Sequence, residues 1–220
     1  MVEIVPAILT DNITELESML KRVDDASDLD GANVHRVQID VIDGQFVENK
    51  TVDPINMGGI DTNLSLDFHL MVKEPVLWVE RCANARADRI IGQIEMMTSQ
   101  VQFVGKVQEM GLYVGLAVDL ATPISKLDPV ILNNVDVVLL MAVKAGFGGQ
   151  KFDESVLDKI KELDEVRIRD KTPFKICVDG GETEETIPET HYAGADEVAI
   201  GKRLFVGSIS ENIERMQKAE

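Results

Sequence analysis

Short apolar segments alternate with amphipathic segments along the whole chain. The apolar segments are rich in Val, Ile and Leu, which is typical of strands buried on both faces of a parallel sheet. The predicted strands are 3–9, 34–42, 64–72, 89–95, 113–120, 135–143, 174–178 and 197–201. Apolar residues at helical spacing predict helices at 13–23, 75–82, 99–110, 123–132, 153–166, 183–192 and 208–218. The stretch 43–61 lacks either period and is predicted to be a loop with at most a short helix.

Eight strand-then-helix units in succession predict an α/β protein. Units of this kind close into a (β/α)8 TIM barrel, and 220 residues fall within the size range of that fold. The alternative is an open, doubly wound parallel sheet. Because no change of composition or Pro/Ser-rich linker divides the chain, we expect a single-domain barrel that spans residues 1–220.

Polar residues stand at the ends of two predicted strands. In the second strand Gln38 and Asp40 share the face opposite to the apolar residues, so we expect both in the barrel lumen. The seventh strand ends in Asp179. Strands two and seven lie on nearly opposite sides of an eight-stranded ring, so the two carboxylates could remove a proton from a carbon and return one to its other face. Asp43 precedes a glycine and is predicted to be a turn residue.

Further candidates line the same mouth of the barrel. His69 lies near the tip of the third strand and shares a face with Met71, while Met141 has the equivalent place in the sixth strand. Glycine clusters follow strands six, seven and eight, and late loops commonly build the phosphate site of this fold. The candidate phosphate-binding residues are Gly146, Gly148, Gly149, Gly180, Gly181, Gly201 and Lys202.

Charge narrows the class of function. A net charge of −17 argues against a nucleic-acid partner and against binding to an anionic membrane surface. Any phosphate must therefore be held by local dipoles or by a placed cation such as Lys202. The two cysteines, Cys82 and Cys177, do not indicate a disulfide framework, and no signal peptide or apolar run long enough to span a membrane is present. We expect a cytoplasmic protein.

Five motifs together resemble the ribulose-phosphate 3-epimerase family over nearly the whole chain. They are Pro6–Leu9, Gln38–Val47, Asp67–Met71, Leu139–Val143 with Gly146–Gln150, and Val178–Gly181. The resemblance implies a barrel that interconverts D-ribulose 5-phosphate and D-xylulose 5-phosphate at C3 through an enediolate. It implies that Asp40 and Asp179 transfer the proton and that His69 joins them in holding a divalent metal ion.

The resemblance also implies the remaining roles. Glycines 148, 149, 180, 181 and 201 would hold the phosphate of a sugar-phosphate substrate. Relatives assemble as dimers or larger, so a homo-oligomer is expected. The residues that correspond to the substrate wall are Ala7, Ile42, Met71 and Met141.

The chain departs from the family pattern at several of these positions. Glutamine replaces a family histidine at Gln38, Gln45 and Gln93, and Gln38 is the position of the fourth metal ligand. A neutral amide oxygen binds zinc or iron more weakly than an imidazole does, so we expect a zinc, iron or manganese ion to be bound weakly or not at all. Ala7 replaces a serine and Ile42 a methionine of the substrate wall. Lys202 replaces a serine, and Lys144-Ala145 stands in place of the usual Asn/Asp-Pro.

Three functions remain open from these residues. The first is an epimerase that acts on a ketose phosphate. The second is a related decarboxylase or aldolase-like barrel, which is disfavoured because Asp40-Val-Ile-Asp43 lacks the internal lysine of those relatives. The third is a catalytically weak or silent homologue that binds a sugar phosphate.

Overall fold

A computed structural model describes residues 2–27 and 34–219. Eight parallel strands form a closed barrel in chain order, and the last strand pairs with the first. The strands are β1 (Glu3–Ile8), β2 (Arg36–Ile42), β3 (Ser65–Met71), β4 (Arg89–Gln93), β5 (Tyr113–Val118), β6 (Val137–Met141), β7 (Lys175–Asp179) and β8 (Glu197–Ile200). The prediction of a (β/α)8 barrel is therefore confirmed, and the open sheet is wrong.

Six α-helices pack outside the strands in the described part of the chain. They are α1 (Ile13–Ser27), α2 (Val79–Asn84), α3 (Gln100–Glu109), α4 (Val156–Asp170), α5 (Ile187–Ala193) and α6 (Ile209–Gln217). After β2 the chain forms only a 3-10 turn at Pro54–Met57, as expected for the predicted loop. A further 3-10 turn, Pro75–Trp78, leads into α2. None of the helices within these ranges is long and apolar enough to cross a membrane.

The helix predicted at 123–132 is wrong. The chain forms two 3-10 turns there, Ile124–Lys126 and Leu132–Asn134. Pro129 has no N–H to donate and disfavours the helical conformation of the residue before it. That residue, Asp128, instead accepts a side-chain hydrogen bond from the backbone N–H of Val130 at 2.9 Å. A turn of this kind competes with the helix.

Strand alternation divides the interior into two apolar cores. Residues such as Val37, Ile39 and Val41 face the helices, as predicted, and join the large outer core. The lumen contains a separate cluster, composed of Ala7, Ile42, Met71, Ile91, Ala117, Val137, Leu139, Met141, Val143, Ala145, Cys177 and Ala199. This packed lumen is the floor on which the polar residues at the strand tips stand.

A buried ion-pair network closes the opposite, N-terminal end of the lumen. The guanidinium of Arg89 on β4 donates to Asp67 on β3 at 2.5 Å and to Glu197 on β8 at 2.7 Å. Lys175 and Arg36 extend the network to the rim. Burial alone would lower the pKa of Arg89, but the charges of Asp67 and Glu197 raise it above its ordinary value. The guanidinium therefore stays charged and joins strands from both sides of the barrel closure.

Replacing Arg89 tests this network. Arg89→Met should lower the free energy of unfolding by about 3–5 kcal/mol, because Asp67 and Glu197 would lose their buried partner. Urea unfolding measures the change. The matched control is Arg169→Met, which removes an exposed pair with Asp170 and should cost at most about 1 kcal/mol. Equal losses in the two variants would contradict the assigned role of Arg89.

Candidate active site

Three ligand-bearing side chains meet at the C-terminal ends of the strands. Asp40 on β2 pairs in register with His69 on β3, and Asp179 ends β7. All three are buried, and one carboxylate or imidazole atom from each lies within 4.8 Å of the others. The sequence analysis expected these side chains to share the barrel mouth, and the structure places them there.

The amide of Gln38 lies between the two carboxylates. Its Nε2 donates to Asp40 Oδ1 at 2.8 Å and to Asp179 Oδ2 at 2.7 Å. The sequence analysis considered Gln38 as a fourth metal ligand through its carbonyl oxygen. In this structure the amide nitrogen faces the carboxylates, and a half-turn of the amide would be needed to present the oxygen.

His69 faces the same two carboxylates from β3. Its Nδ1 lies 3.2 Å from Asp40 Oδ1 and 3.4 Å from Asp179 Oδ2. Burial alone would lower the pKa of His69, but hydrogen bonds to Asp179 and Asp40, together with their charges, raise it to about 9. Burial also raises the pKa of Asp40, and the charge of Asp179 acts in the same direction. The cluster therefore favours holding a shared proton among these groups.

The same cluster has the donor set of a divalent metal site. Two carboxylate oxygens and one imidazole nitrogen converge, and carboxylates with histidine are ligands that zinc, iron and manganese accept. The residues present fit such an ion with three protein ligands. Within the described residues this is the one group of three or more His, Cys, Asp or Glu side chains that converge in this way.

A cavity of about 1240 Å³ opens above the cluster. Asp40 and Asp179 line it, together with all seven residues predicted to bind phosphate. Of the predicted substrate wall, Ala7, Met71 and Met141 line the cavity, whereas Ile42 is buried in the lumen cluster without lining it. The seven predicted phosphate-binding residues are Gly146, Gly148, Gly149, Gly180, Gly181, Gly201 and Lys202.

Two of these glycines are required by the fold itself. Gly181 has φ +74°, and a Cβ there would lie 2.3 Å from the backbone nitrogen of Phe152. Gly180 has φ +114°, and its Cβ would lie 2.4 Å from a methyl of Val143. Any side chain would be strained at both positions. The loops after β6 and β7 are therefore packed against each other at the edge of the cavity.

Three arginines that were not predicted as site residues also line the cavity: Arg22, Arg203 and Arg215. Arg203 directly follows Lys202, so the same glycine-and-cation signal could have found it. Arg22 and Arg215 lie on α1 and α6, and no local pattern connects them with the strand tips. Arg22 is already engaged, because its Nη2 donates to the carbonyls of Phe205 and Gly207.

Glu182 is a further cavity residue that was not predicted from the sequence. It directly follows the glycine pair, lines the cavity and is only 2% exposed. The hydroxyls of Thr186 and Thr190 donate to its two carboxylate oxygens. Burial raises the pKa of Glu182 to about 7 in spite of these two hydrogen bonds. One threonine of the loop before α5 and one of α5 itself thus satisfy the carboxylate.

A comparison of the sequence with models of protein families identifies the family. The model described as "Ribulose-phosphate 3 epimerase family" matches residues 3–205. The chain belongs to the ribulose-phosphate 3-epimerase family. By this membership it is an isomerase of the epimerase type, and the resemblance of the five motifs is confirmed.

Relatives named as epimerases match most of the chain. Ribulose-phosphate 3-epimerase of Bacillus subtilis (strain 168) is 34% identical over 208 residues, which are 93% of each chain. The chloroplastic ribulose-5-phosphate-3-epimerase of Arabidopsis thaliana is 32% identical over 204 residues, 91% of this chain and 70% of that one.

Solved structures of other proteins share the fold. The 3-keto-L-gulonate-6-phosphate decarboxylase of Vibrio cholerae O1 biovar El Tor superposes with a TM-score of 0.69 over 99% of this chain and 96% of its own. A 3-hexulose-6-phosphate synthase superposes with a TM-score of 0.63 over 98% and 99%. Their identities of 12% and 13% are too low to indicate more than the barrel.

The loop packing beside the cavity can be tested by adding single methyl groups. Gly181→Ala should lower the free energy of unfolding by about 1–3 kcal/mol, because φ is positive and the Cβ meets the backbone of Phe152. Gly148→Ala is the matched control, since its Cβ meets no heavy atom within 4 Å. It should stay within about 0.5 kcal/mol of the unaltered protein. Denaturant unfolding compares the two, and a tolerated Gly181→Ala would contradict the packing described.

Proposed function

We propose that the chain interconverts D-ribulose 5-phosphate and D-xylulose 5-phosphate by inverting carbon C3. The observation that carries the proposal is the pair Asp40 and Asp179, two buried carboxylates from β2 and β7 that line one cavity. The names of the relatives support the same substrate class. An epimerase needs one proton-transfer group for each face of the carbon, and this pair supplies two.

The two aspartates together can supply both proton transfers, one removing a proton from C3 and the other returning one. The carbonyl at C2 acidifies the C3–H bond, so a carboxylate can take that proton while the bond electrons move into an enediolate. The other aspartate, protonated, gives its proton to the opposite face, and the C2 carbonyl forms again. Either aspartate can be the first base, because the reaction runs in both directions. One turnover exchanges their protonation states.

The developing negative charge on the enediolate oxygens needs a positive partner. A divalent ion held by Asp40, His69 and Asp179 would supply a Lewis acid for those oxygens. The chain also provides donors of its own. The Gln38 amide lies 2.7 and 2.8 Å from the two carboxylates, and the Nδ1 of His69 faces the same space. Neither side chain lines the cavity, so both act on the two carboxylates rather than directly on the substrate.

The phosphate end of the substrate is assigned to the loops after β6, β7 and β8. The glycine clusters of these loops line the cavity, and backbone N–H groups in glycine-rich turns can cradle an anion. Lys202 is exposed there, and its side chain makes no ion pair with any residue that the structure describes. On a chain with net charge −17, this free ammonium group suits a phosphate. Arg203 lies beside it.

This chain has Gln38 where the family pattern has a histidine ligand, so its metal site should be weaker. We expect the unaltered protein to retain less than one equivalent of zinc, iron or manganese after dialysis, because Asp40, His69 and Asp179 supply only three ligands. Gln38→His should retain more zinc, since an imidazole is a stronger ligand than an amide. Elemental analysis after dialysis against a zinc buffer measures both.

Gln45→His is the matched control for this metal test. Gln45 is exposed and outside the cluster, so a histidine there should leave zinc retention unchanged. A full equivalent of tightly bound ion in the unaltered protein would show that three ligands with water suffice. That result would contradict the expected weak site and leave the proton-transfer pair untouched.

Isotope exchange tests the function itself. In heavy water the unaltered protein, supplied with zinc, iron or manganese, should place deuterium at C3 of a ketose phosphate while inverting it. Asp179→Asn should slow inversion by about 10²–10⁴-fold, because one face of C3 loses its acid or base. Nuclear magnetic resonance of the sugar follows both processes.

The control for isotope exchange is Asp43→Asn. Asp43 accepts hydrogen bonds from the backbone N–H groups of Gln45 and Phe46, as predicted for a turn residue. An asparagine oxygen can accept these two bonds, and only the bond from the backbone N–H of Lys73 to the other carboxylate oxygen is lost, so inversion should persist. Absence of both exchange and inversion in the unaltered protein would overturn the epimerase proposal and favour a homologue that only binds a sugar phosphate.

A further inference from the structure

The barrel supports the two aspartates of the site in different ways. Asp179 ends β7 with a paired strand on each side, because it is in register with Met141 on β6 and with Ala199 on β8. Asp40 has only one such neighbour. It pairs with β3, whereas the pairing of β1 with β2 ends at Ile39. The end of β2 that carries Asp40 therefore lacks a strand on the β1 side.

The chain returns to this side of β2 after the loop 43–50. The backbone N–H of Thr51 donates to the carbonyl of Ile42 at 3.2 Å, and the N–H of Val52 donates to the carbonyl of Thr10 at 3.0 Å. Thr10 follows β1, which ends at Ile8. Thr51 and Val52 thus lie between the end of β2 and the segment that continues from β1.

The hydroxyl of Thr51 completes the hydrogen bonds of this strand end. Its Oγ1 donates to the backbone carbonyl of Asp40 at 2.7 Å and accepts from the backbone N–H of Ile42 at 2.8 Å. A neighbouring strand would supply a backbone N–H and a backbone carbonyl for these two residues. A hydroxyl can donate and accept at once, so the single side chain of Thr51 replaces both groups.

We propose that Thr51 is a positioning residue that holds the backbone of Asp40 in place, and with it the carboxylate for one face of C3. The inference rests on the proposed function, because it concerns the same proton transfer. Thr51 does not line the cavity, so it acts through Asp40 and not on the substrate. Reacting groups must be held to within about 0.5 Å of the productive geometry. Asp179 needs no such support, because β6 and β8 flank it.

Isotope exchange separates the two faces of the carbon. Thr51→Val keeps the shape of the side chain but removes the hydroxyl, so Asp40 should be misplaced while Asp179 keeps its position. Inversion should fall about 10–100-fold in both directions, with little change in KM, because the glycine loops after β6, β7 and β8 are untouched. The epimer whose C3–H faces Asp179 should still exchange that hydrogen in heavy water, since Asp179 can return a deuteron to the same face. Its ratio of exchange to inversion should rise, whereas the other epimer should lose both processes together.

Amide hydrogen exchange followed by nuclear magnetic resonance gives a readout that needs no turnover. The N–H of Ile42 should exchange about 5–100-fold faster in Thr51→Val, because its acceptor is gone. The N–H of Phe68, which is buried on β3, is the internal reference, since general destabilisation would accelerate both amides. Thr51→Ser restores the hydroxyl and should recover the slow amide and the normal exchange ratio. Thr51→Ala is used if the valine variant does not fold.

Thr172→Val is the matched control. Thr172 is 5% exposed, and its hydroxyl has no hydrogen-bond partner among the residues that the structure describes. It precedes β7, at the end of the barrel opposite to the strand tips. The same substitution there should change neither the Ile42 amide nor the ratio of exchange to inversion.

The inference is overturned if the Ile42 amide of Thr51→Val exchanges no faster relative to Phe68 than in the unaltered protein. It is also overturned if both epimers keep the unaltered ratio of exchange to inversion. An active Thr51→Val with unaltered ratios would contradict the role of Thr51 alone and leave the epimerase proposal standing. Absence of exchange and inversion in the unaltered protein would instead contradict the epimerase proposal, and the role of Thr51 in proton transfer with it.

Discussion

Closure of the eight-stranded barrel is the constraint on which the site depends. Gln38 and Asp179 are 141 positions apart in the chain, yet a hydrogen bond of 2.7 Å joins them. They meet because β8 pairs with β1, which brings the strand tips of β7 and β2 to one mouth. An open sheet would leave β2 and β7 far apart. The ion network around Arg89 supports the closure from the other end of the lumen, where it links β3, β4 and β8.

Strand alternation explains why so much of the site could be predicted from the sequence. Each face of a strand is fixed by its apolar residues, so Asp40 and His69 had to point into the lumen once the helix-facing residues were known. The helix at 123–132 failed because a proline and a side-chain turn at Asp128 compete locally with a favourable apolar spacing. Apolar periodicity indicates which face of a segment is buried, but it does not show that a local turn competes with the helix.

The remaining parts of the site depend on side-chain orientation, which no spacing encodes. The sequence shows that Gln38 replaces a histidine, but only the packed structure shows its amide nitrogen turned towards two carboxylates. Two of the three arginines at the cavity, Arg22 and Arg215, come from helices that are remote in sequence from the strand tips. The glycines illustrate the opposite case, since Gly180 and Gly181 are needed for loop packing whether or not a phosphate binds. A glycine cluster therefore predicts a close approach of backbones more securely than it predicts a ligand.

The central claim is that the carboxylates of β2 and β7 act on an enediolate held between them. The most direct measurement is the affinity of the protein for a phosphorylated hydroxamate, a planar mimic of the enediolate, relative to a ketose phosphate. The account predicts binding tighter by about 10²-fold or more for the mimic, as expected for an analogue of the reacting state. Equal affinities would show that the cavity recognises a sugar phosphate without stabilising the intermediate, and would contradict the account.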